Sequence, residues 1–187
     1  MQITDNALNA IEFKMLLKYF TSELPTWRFL TNVTHGYKGK TQTSWGFTCN
    51  VFGRKKSESD LHSINDKHAF KLLQPLILDK KKLIRIRCGL IASNGPKELH
   101  TPHVDQPYLD HITQIYYLTA SDAPTNIFEE LGPNDNYDNY EPSDFTLKYQ
   151  SKPEPNKMII FDGKHYHSSS HVYGDELRLA LTFNYAK

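Results

Sequence analysis

The stretch His100–Pro107, HTPHVDQP, sets His103 and Asp105 two residues apart. In an extended chain the side chains at i and i+2 leave from one face, so an imidazole and a carboxylate at this spacing can grip one metal ion together. A second histidine from elsewhere would complete a set of two histidines and one carboxylate. That set leaves metal positions open and suits Fe(II) working with oxygen. Six of the nine histidines, His100, His103, His111, His165, His167 and His171, fall in the carboxy-terminal half. The distal ligand can come from His165, His167 or His171, in KHYHSSSH just after the apolar run of MIIFDG. Further on, Arg178 begins a stretch in which Leu179, Leu181, Phe183 and Tyr185 alternate with Ala180, Thr182 and Asn184. A strand so patterned turns its apolar face to a core and its small polar face to water or a cavity. A guanidinium on a cavity face needs an anion. A dicarboxylate with its far end on Arg178 and its near end on the metal would supply one.

The elements that must position these groups are mostly strands. Trp27–Thr34, Trp45–Phe52, Leu83–Ile91, Ile112–Thr119, Asn126–Glu129, Phe145–Tyr149, Met158–Phe161 and Arg178–Tyr185 are short, rich in β-branched and aromatic residues, and bounded by turn formers. In Ile112–Thr119 the residues Thr113, Ile115, Tyr117 and Thr119 share a face. Two helices flank the strands. The first is capped by Asp5 and Asn6, carries Phe13, Leu16, Leu17 and Phe20 on one side, and stops before Pro25. The second runs from Asp66 to Lys80, with Pro75 kinking it or starting its last turns. The expected fold class is mainly β with flanking helices, a sandwich or jelly roll with helices on one outer face. Loops are expected at Thr34–Ser44, Gly53–Asp60 and Gly132–Asp144, the last two as a cover over the site. Trp27, Trp45, Phe47 and Phe52 read as core aromatics, and His100 and His111 as solvated or as neighbours of the ligands.

Composition narrows the partners. With 22 basic against 21 acidic side chains there is no global field to gather nucleic acid, and the last loop mixes Tyr with Asp and Glu. No run of eighteen apolar residues exists to engage a membrane, and the amino terminus lacks a signal-peptide layout, so the cytoplasm is the expected address. Cys49 and Cys88 have no CxxC spacing and read as reduced thiols in strands. At 187 residues the chain fits a single domain.

Taken together, HVD at His103–Asp105, QIYYLTA at Gln114–Ala120, MIIFDGKHYHSSS at Met158–Ser170 and ELRLALTFNY at Glu176–Tyr185 resemble the Fe(II)- and 2-oxoglutarate-dependent oxygenases, in particular their prolyl 4-hydroxylase-like branch. The likeness covers residues 83–187. The earlier DNAL, IEF and PTW are similar to small oxygenases encoded by marine bacteriophages, which would place the protein in a host cytoplasm. The resemblance implies a double-stranded β-helix, a cupin-like jelly roll, with 83–187 as catalytic core and 1–82 as helical and strand support. It puts iron on His103, Asp105 and His167, makes 2-oxoglutarate and O2 the cosubstrates, and sets Arg178 on the distal carboxylate of 2-oxoglutarate. Tyr117 would add a hydroxyl there, and Thr113 shares its face. The implied activity is hydroxylation of a C–H bond, foremost of a prolyl residue in a peptide or protein. The rival readings are the same chemistry on a nucleic-acid base or a free small molecule, and a metal-binding jelly roll without turnover. The chain departs from relatives in LIRIRCGLIASNGP, where Arg85 and Arg87 stand in a strand that elsewhere offers Tyr or Asn to the cosubstrate.

Overall fold

Alternation in the last strand organises the architecture. A computed structural model describes residues 1–31, 33, 45–54, 62–92, 99–132, 142–174 and 177–187. Its elements run β1 (Gln2–Thr4), α1 (Ala10–Phe20), β2 (Arg28–Leu30), β3 (Gly46–Arg54), β4 (His62–Ile64), α2 (Lys67–Leu72), β5 (Leu83–Ile91), β6 (His111–Tyr117), β7 (Thr125–Leu131), β8 (Leu147–Ser151), β9 (Lys157–Asp162), β10 (His165–Ser168) and β11 (Arg178–Ala186). The large sheet has the order β1-β9-β6-β11-β5-β3-β2, with β4 on β3, and the small sheet has the order β10-β7-β8. Every pairing is antiparallel. This is the expected mainly β jelly roll with flanking helices.

β11 lies at the centre of the large sheet, between β6 and β5. Its Leu179, Leu181, Phe183 and Tyr185 face outward into the main core, against Leu16, Tyr19 and Phe20 of α1 and Ala69 and Phe70 of α2. Fully burying side chains of this size contributes roughly 1.5–3 kcal/mol each, so the helices are held by this face rather than by their own short length. On the inner side a smaller apolar cluster of Ile115, Tyr117, Ile127, Ile159, Phe161 and Ala180 joins the two sheets. The rest of the inner face is polar, and the cavity opens there. Asn156, at φ 65° before β9, ties the amino terminus to this frame. Its Oδ1 accepts from the Leu8 N–H at 2.9 Å and the Tyr116 hydroxyl at 2.8 Å, while its Nδ2 donates to the Leu8 carbonyl at 2.8 Å.

Several local expectations are corrected. The cap of α1 is Asn9, not Asp5 or Asn6: its side chain accepts from the Ile11 and Glu12 N–H groups, and Glu12 returns a bond to the Asn9 N–H. The second helix ends at Leu72 instead of reaching Lys80. Pro75 has no N–H to continue it and instead sits in the first positions of a single 3-10 turn, Gln74–Leu76. Trp27–Thr34 contracts to β2, and Phe145 precedes β8 rather than opening it. β1, β4 and β10 were not expected, since three or four residues give too little alternation to read. Cys49 and Cys88 face each other across β3 and β5 as buried free thiols. The expected loop Thr34–Ser44, and most of Gly53–Asp60 and Gly132–Asp144, lie outside the described residues. No helix among the described residues is long and apolar enough to cross a membrane.

Candidate metal centre

His103 and His167 come together through backbone before side chain. Each donates its N–H to the other's carbonyl at 2.9 Å, an isolated bridge between the HVD segment and β10 that sets their rings 4.7 Å apart. Asp105 completes the group, with Oδ1 3.9 Å from His103 Nε2 and Oδ2 3.7 Å from His167 Nε2. One ligand atom from each of the three lies within 4.8 Å of the others. Both histidines direct Nδ1 at the carbonyl two residues earlier, of Thr101 at 3.2 Å and of His165 at 3.3 Å. These contacts favour the Nδ1–H tautomer and leave the Nε2 lone pairs pointing to the centre. Burial, then the neighbouring His167, pushes His103 down to about 4. Burial likewise lowers His167, against the pull of Asp105. Both rings are therefore neutral and ready to ligate at ordinary pH. Two imidazoles and a carboxylate, closed on one side only, fit a metal such as Fe(II) that keeps positions open.

Asp105 is held by a ring of bonds that sequence reading did not find. Arg85 Nη2 donates to Oδ1 at 2.7 Å, Asn184 Nδ2 donates to Oδ2 at 3.0 Å, and Arg85 Nε donates to Asn184 Oδ1 at 2.9 Å. Register explains the closure, because Arg85 and Asn184 are cross-strand partners on β5 and β11. Burial, the largest single influence, raises the Asp105 carboxyl, but Arg85, His167, His103 and Arg87 together outweigh it and hold the group well below the usual carboxylate range. Each oxygen still has a lone pair for a metal.

At the other end of the cavity stands Arg178, 8% exposed. Its Nε donates to the Ala123 carbonyl at 3.1 Å and its Nη2 to Thr125 Oγ1 at 2.9 Å, and its guanidinium lies 5.8 Å from the Tyr117 ring centre. The Tyr117 hydroxyl donates to the same Thr125 Oγ1 at 2.8 Å. No carboxylate pairs with Arg178 among the described residues, and burial lowers its pKa. Three of its five N–H groups stay available for an anion. Thr113 is fully buried, accepts from Asn184 Nδ2 at 3.2 Å, and is not part of the cavity wall, so it supports the Asp105 ring from behind.

The rival histidines are elsewhere. His165 pairs with Leu131 and His167 with Ile127, so a bulge in β7 falls between them and only His167 joins the cluster. His171 packs against His100 with ring centres 4.8 Å apart. His100 and His111 are buried, not solvated. His100 lines the cavity with Nδ1 2.8 Å from Ser169 Oγ, and His111 directs Nδ1 at the Leu109 carbonyl at 2.9 Å. Of the four aromatics assigned to the core, Phe52 is buried there and Trp27 packs against it. Phe47 instead lines the cavity, and Trp45 is 37% exposed beside it.

No family model and no curated protein match the chain. Solved structures do. A 2OG-Fe(II) oxygenase family oxidoreductase from Burkholderia pseudomallei superposes with a TM-score of 0.66 at 13% identity, over 98% of this chain and 82% of that one. The fold is that of the 2-oxoglutarate- and iron(II)-dependent oxygenases. A Trichoplax adhaerens prolyl hydroxylase, in complex with a hypoxia inducible factor peptide fragment, gives 0.55 at 13% identity over 99% and 82% of the two chains. HygX from Streptomyces hygroscopicus, with nickel and 2-oxoglutarate bound, gives 0.57 at 11% over 98% and 81%. Within this oxygenase fold, the His103–Asp105–His167 cluster and Arg178 occupy two ends of one cavity.

Proposed function

We propose that the protein is an Fe(II)- and 2-oxoglutarate-dependent dioxygenase. The observation that carries this reading is a metal-ready triad and a buried arginine with no carboxylate partner among the described residues, on the walls of one cavity. His103, Asp105 and His167 would hold iron, and Arg178, backed by Tyr117 and Thr125, would hold the far carboxylate of 2-oxoglutarate. With oxygen, iron and 2-oxoglutarate together supply an oxidant for a substrate C–H bond, 2-oxoglutarate leaving as succinate and CO2. The protein's own part is placement. The Arg85–Asn184 ring fixes the carboxylate ligand, the carbonyls of Thr101 and His165 fix the two imidazoles, and the inter-sheet cluster around Ile115 and Phe161 closes the inner end to water. A module that only stored metal would have no need of a desolvated arginine at the far end.

Hydroxylation of a prolyl residue in a peptide or protein is the substrate reading carried by the HVD, IYYL and FDGKHYH segments, and the Trichoplax structure lends it support. A small-molecule substrate is the second reading, favoured by the likeness to HygX, which has also been solved with hygromycin B bound. The test is to load the protein anaerobically with Fe(II) and 2-oxoglutarate, then admit oxygen with a panel of proline-containing peptides. Succinate release coupled to a peptide mass gain of one oxygen is expected. Failure to release succinate under every condition, with iron bound, would remove the oxygenase reading.

A further inference from the structure

Among the described residues, Arg85, Arg87 and Arg178 stand on the inner side of the sheet, and two already have work. Arg85 is bonded to Asp105, and Arg178 takes the cosubstrate under the function proposed above. Arg87 is left. It lies on β5 one rung from Arg85, opposite Thr182 of β11 and Asn50 of β3, and it lines the cavity together with His103, Asp105 and Thr182. It has no carboxylate in contact among the described residues, and Asp105, the sole acid among the described residues of the cavity wall, is already bonded to Arg85. Arg87 is half-buried, and burial, then the neighbouring Arg85, lower its pKa against the pull of Asp105. A guanidinium that has lost part of its hydration is stabilised when an anion pairs with it.

The surroundings say where such an anion would come from. Arg87 stands two rungs from Ile91, which faces Arg178 across β11, and strand rise puts about 13 Å between those rungs. With one carboxylate of 2-oxoglutarate on Arg178 and the other on the metal, as proposed above, neither is left for Arg87. Between the two rungs lies Gly89, where an added Cβ would touch nothing within 4 Å, so the floor is open. Across from Gly89 and Leu90 the wall continues through Thr48 and Phe47 of β3 to Leu30 of β2, so apolar surface from Phe47 and Leu30 flanks this floor.

We infer that Arg87 is the specificity residue for the primary substrate, which carries an anionic group, a carboxylate or a phosphate, close to the C–H bond that is oxidised. The inference rests on the oxygenase reading and narrows it. The anion pairs with Arg87 by two parallel hydrogen bonds, while the substrate body lies on Leu30 and Phe47 and presents its carbon to the metal. A peptidyl proline without a nearby acid would leave Arg87 unpaired.

The test uses the Fe(II) protein under anaerobic conditions. Titration with 2-oxoglutarate and its metal-to-ligand absorption band comes first, in wild type, Arg87→Gln, Arg87→Lys and Arg178→Met. The saturated complex is then titrated with acetate, methyl phosphate and neutral acetamide at constant ionic strength. The expected result is a band of similar 2-oxoglutarate dependence in wild type and Arg87→Gln. Acetate or methyl phosphate should perturb it, acetamide should not, and Arg87→Gln should need roughly tenfold to a hundredfold more anion. Arg87→Lys should fall between. Whichever of the two anions acts more strongly identifies the substrate's group. Equal anion dependence in wild type and Arg87→Gln would place the anion on the metal and overturn the inference. So would a 2-oxoglutarate requirement raised in Arg87→Gln as much as in Arg178→Met, since Arg87 would then belong to the cosubstrate. A wild type that binds Fe(II) but gives no band fails earlier, at the oxygenase reading itself.

Discussion

Arg178 has its polar and aromatic surroundings fixed before any ligand arrives, with the Ala123 carbonyl, the Thr125 hydroxyl and the Tyr117 ring each in contact. Such preorganisation would spare 2-oxoglutarate, under the proposed function, the cost of ordering its partner. Losing one member of a desolvated charge pair costs about 2–5 kcal/mol, so Arg178→Met should raise the 2-oxoglutarate concentration needed by roughly one and a half to four powers of ten. Arg178→Lys keeps charge without the planar fork and should lie between. The check is an anaerobic titration, and an unchanged affinity would remove the clamp. His100 gives a second prediction at this scale. Burial, then His171, Arg178 and His103, lower its pKa from 6.5 to about 3. Below pH 6.5 the unfolded chain takes up a proton that the folded chain refuses until about pH 3, so this residue lowers stability as pH falls through that window. One such proton is worth about 1.4 kcal/mol per pH unit, or about 2 kcal/mol between pH 6.5 and 5. Urea unfolding at pH 7 and pH 5 should show a smaller loss in His100→Asn than in wild type. Equal losses would mean that His100 is protonated in the folded protein.

At the scale of elements, the turn from β9 into β10 positions His167, the proposed distal ligand. Gly163 donates its N–H to the His111 carbonyl at 2.8 Å, and a Cβ there would lie 2.3 Å from the His111 ring. That ring is fully buried, so it has nowhere to retreat. Gly163→Ala should cost about 1–3 kcal/mol by overpacking and weaken Fe(II) binding by shifting His167. Wild-type urea stability and wild-type iron affinity in this variant would contradict the packing account. Asn156 is the other joint. Asn156→Ala loses three side-chain hydrogen bonds and keeps a left-handed φ that alanine resists, so a loss of about 2–4 kcal/mol is expected in urea unfolding. Asn156→Gly should recover only the backbone part, about 1 kcal/mol. If alanine were neutral there, Asn156 would not be what ties the amino terminus to the large sheet.

Over the whole molecule, one sheet does two jobs: its outer face is a core for two helices, and its inner face is a cavity with a cation at each of several depths. Much of that division is readable in Arg178–Tyr185, where every second residue from Leu179 is large and apolar and the others are small or polar. The spacing of His103 and Asp105 is readable for the same reason, since period two is intrinsic to an extended chain. The choice of His167 over His165 and His171 comes from the family resemblance and not from periodicity, because residues i and i+2 share a face in a regular strand and the separation comes from a bulge in the facing β7. Arg85 is illegible for a related reason: its bond to Asp105 depends on the register of β5 against β11, which no local pattern sets. β1 contributes three residues and only its partner β9 makes it a strand. The central claim, that this register assembles an iron and 2-oxoglutarate site from His103, Asp105, His167 and Arg178, is tested most directly by the metal-to-ligand absorption band formed when 2-oxoglutarate is added to the Fe(II) protein without oxygen. The account predicts the band in wild type, His165→Ala and His171→Ala, and its loss in Asp105→Ala and His167→Ala. A band that survives in His167→Ala, or one that disappears in His165→Ala while the protein stays folded, would contradict it.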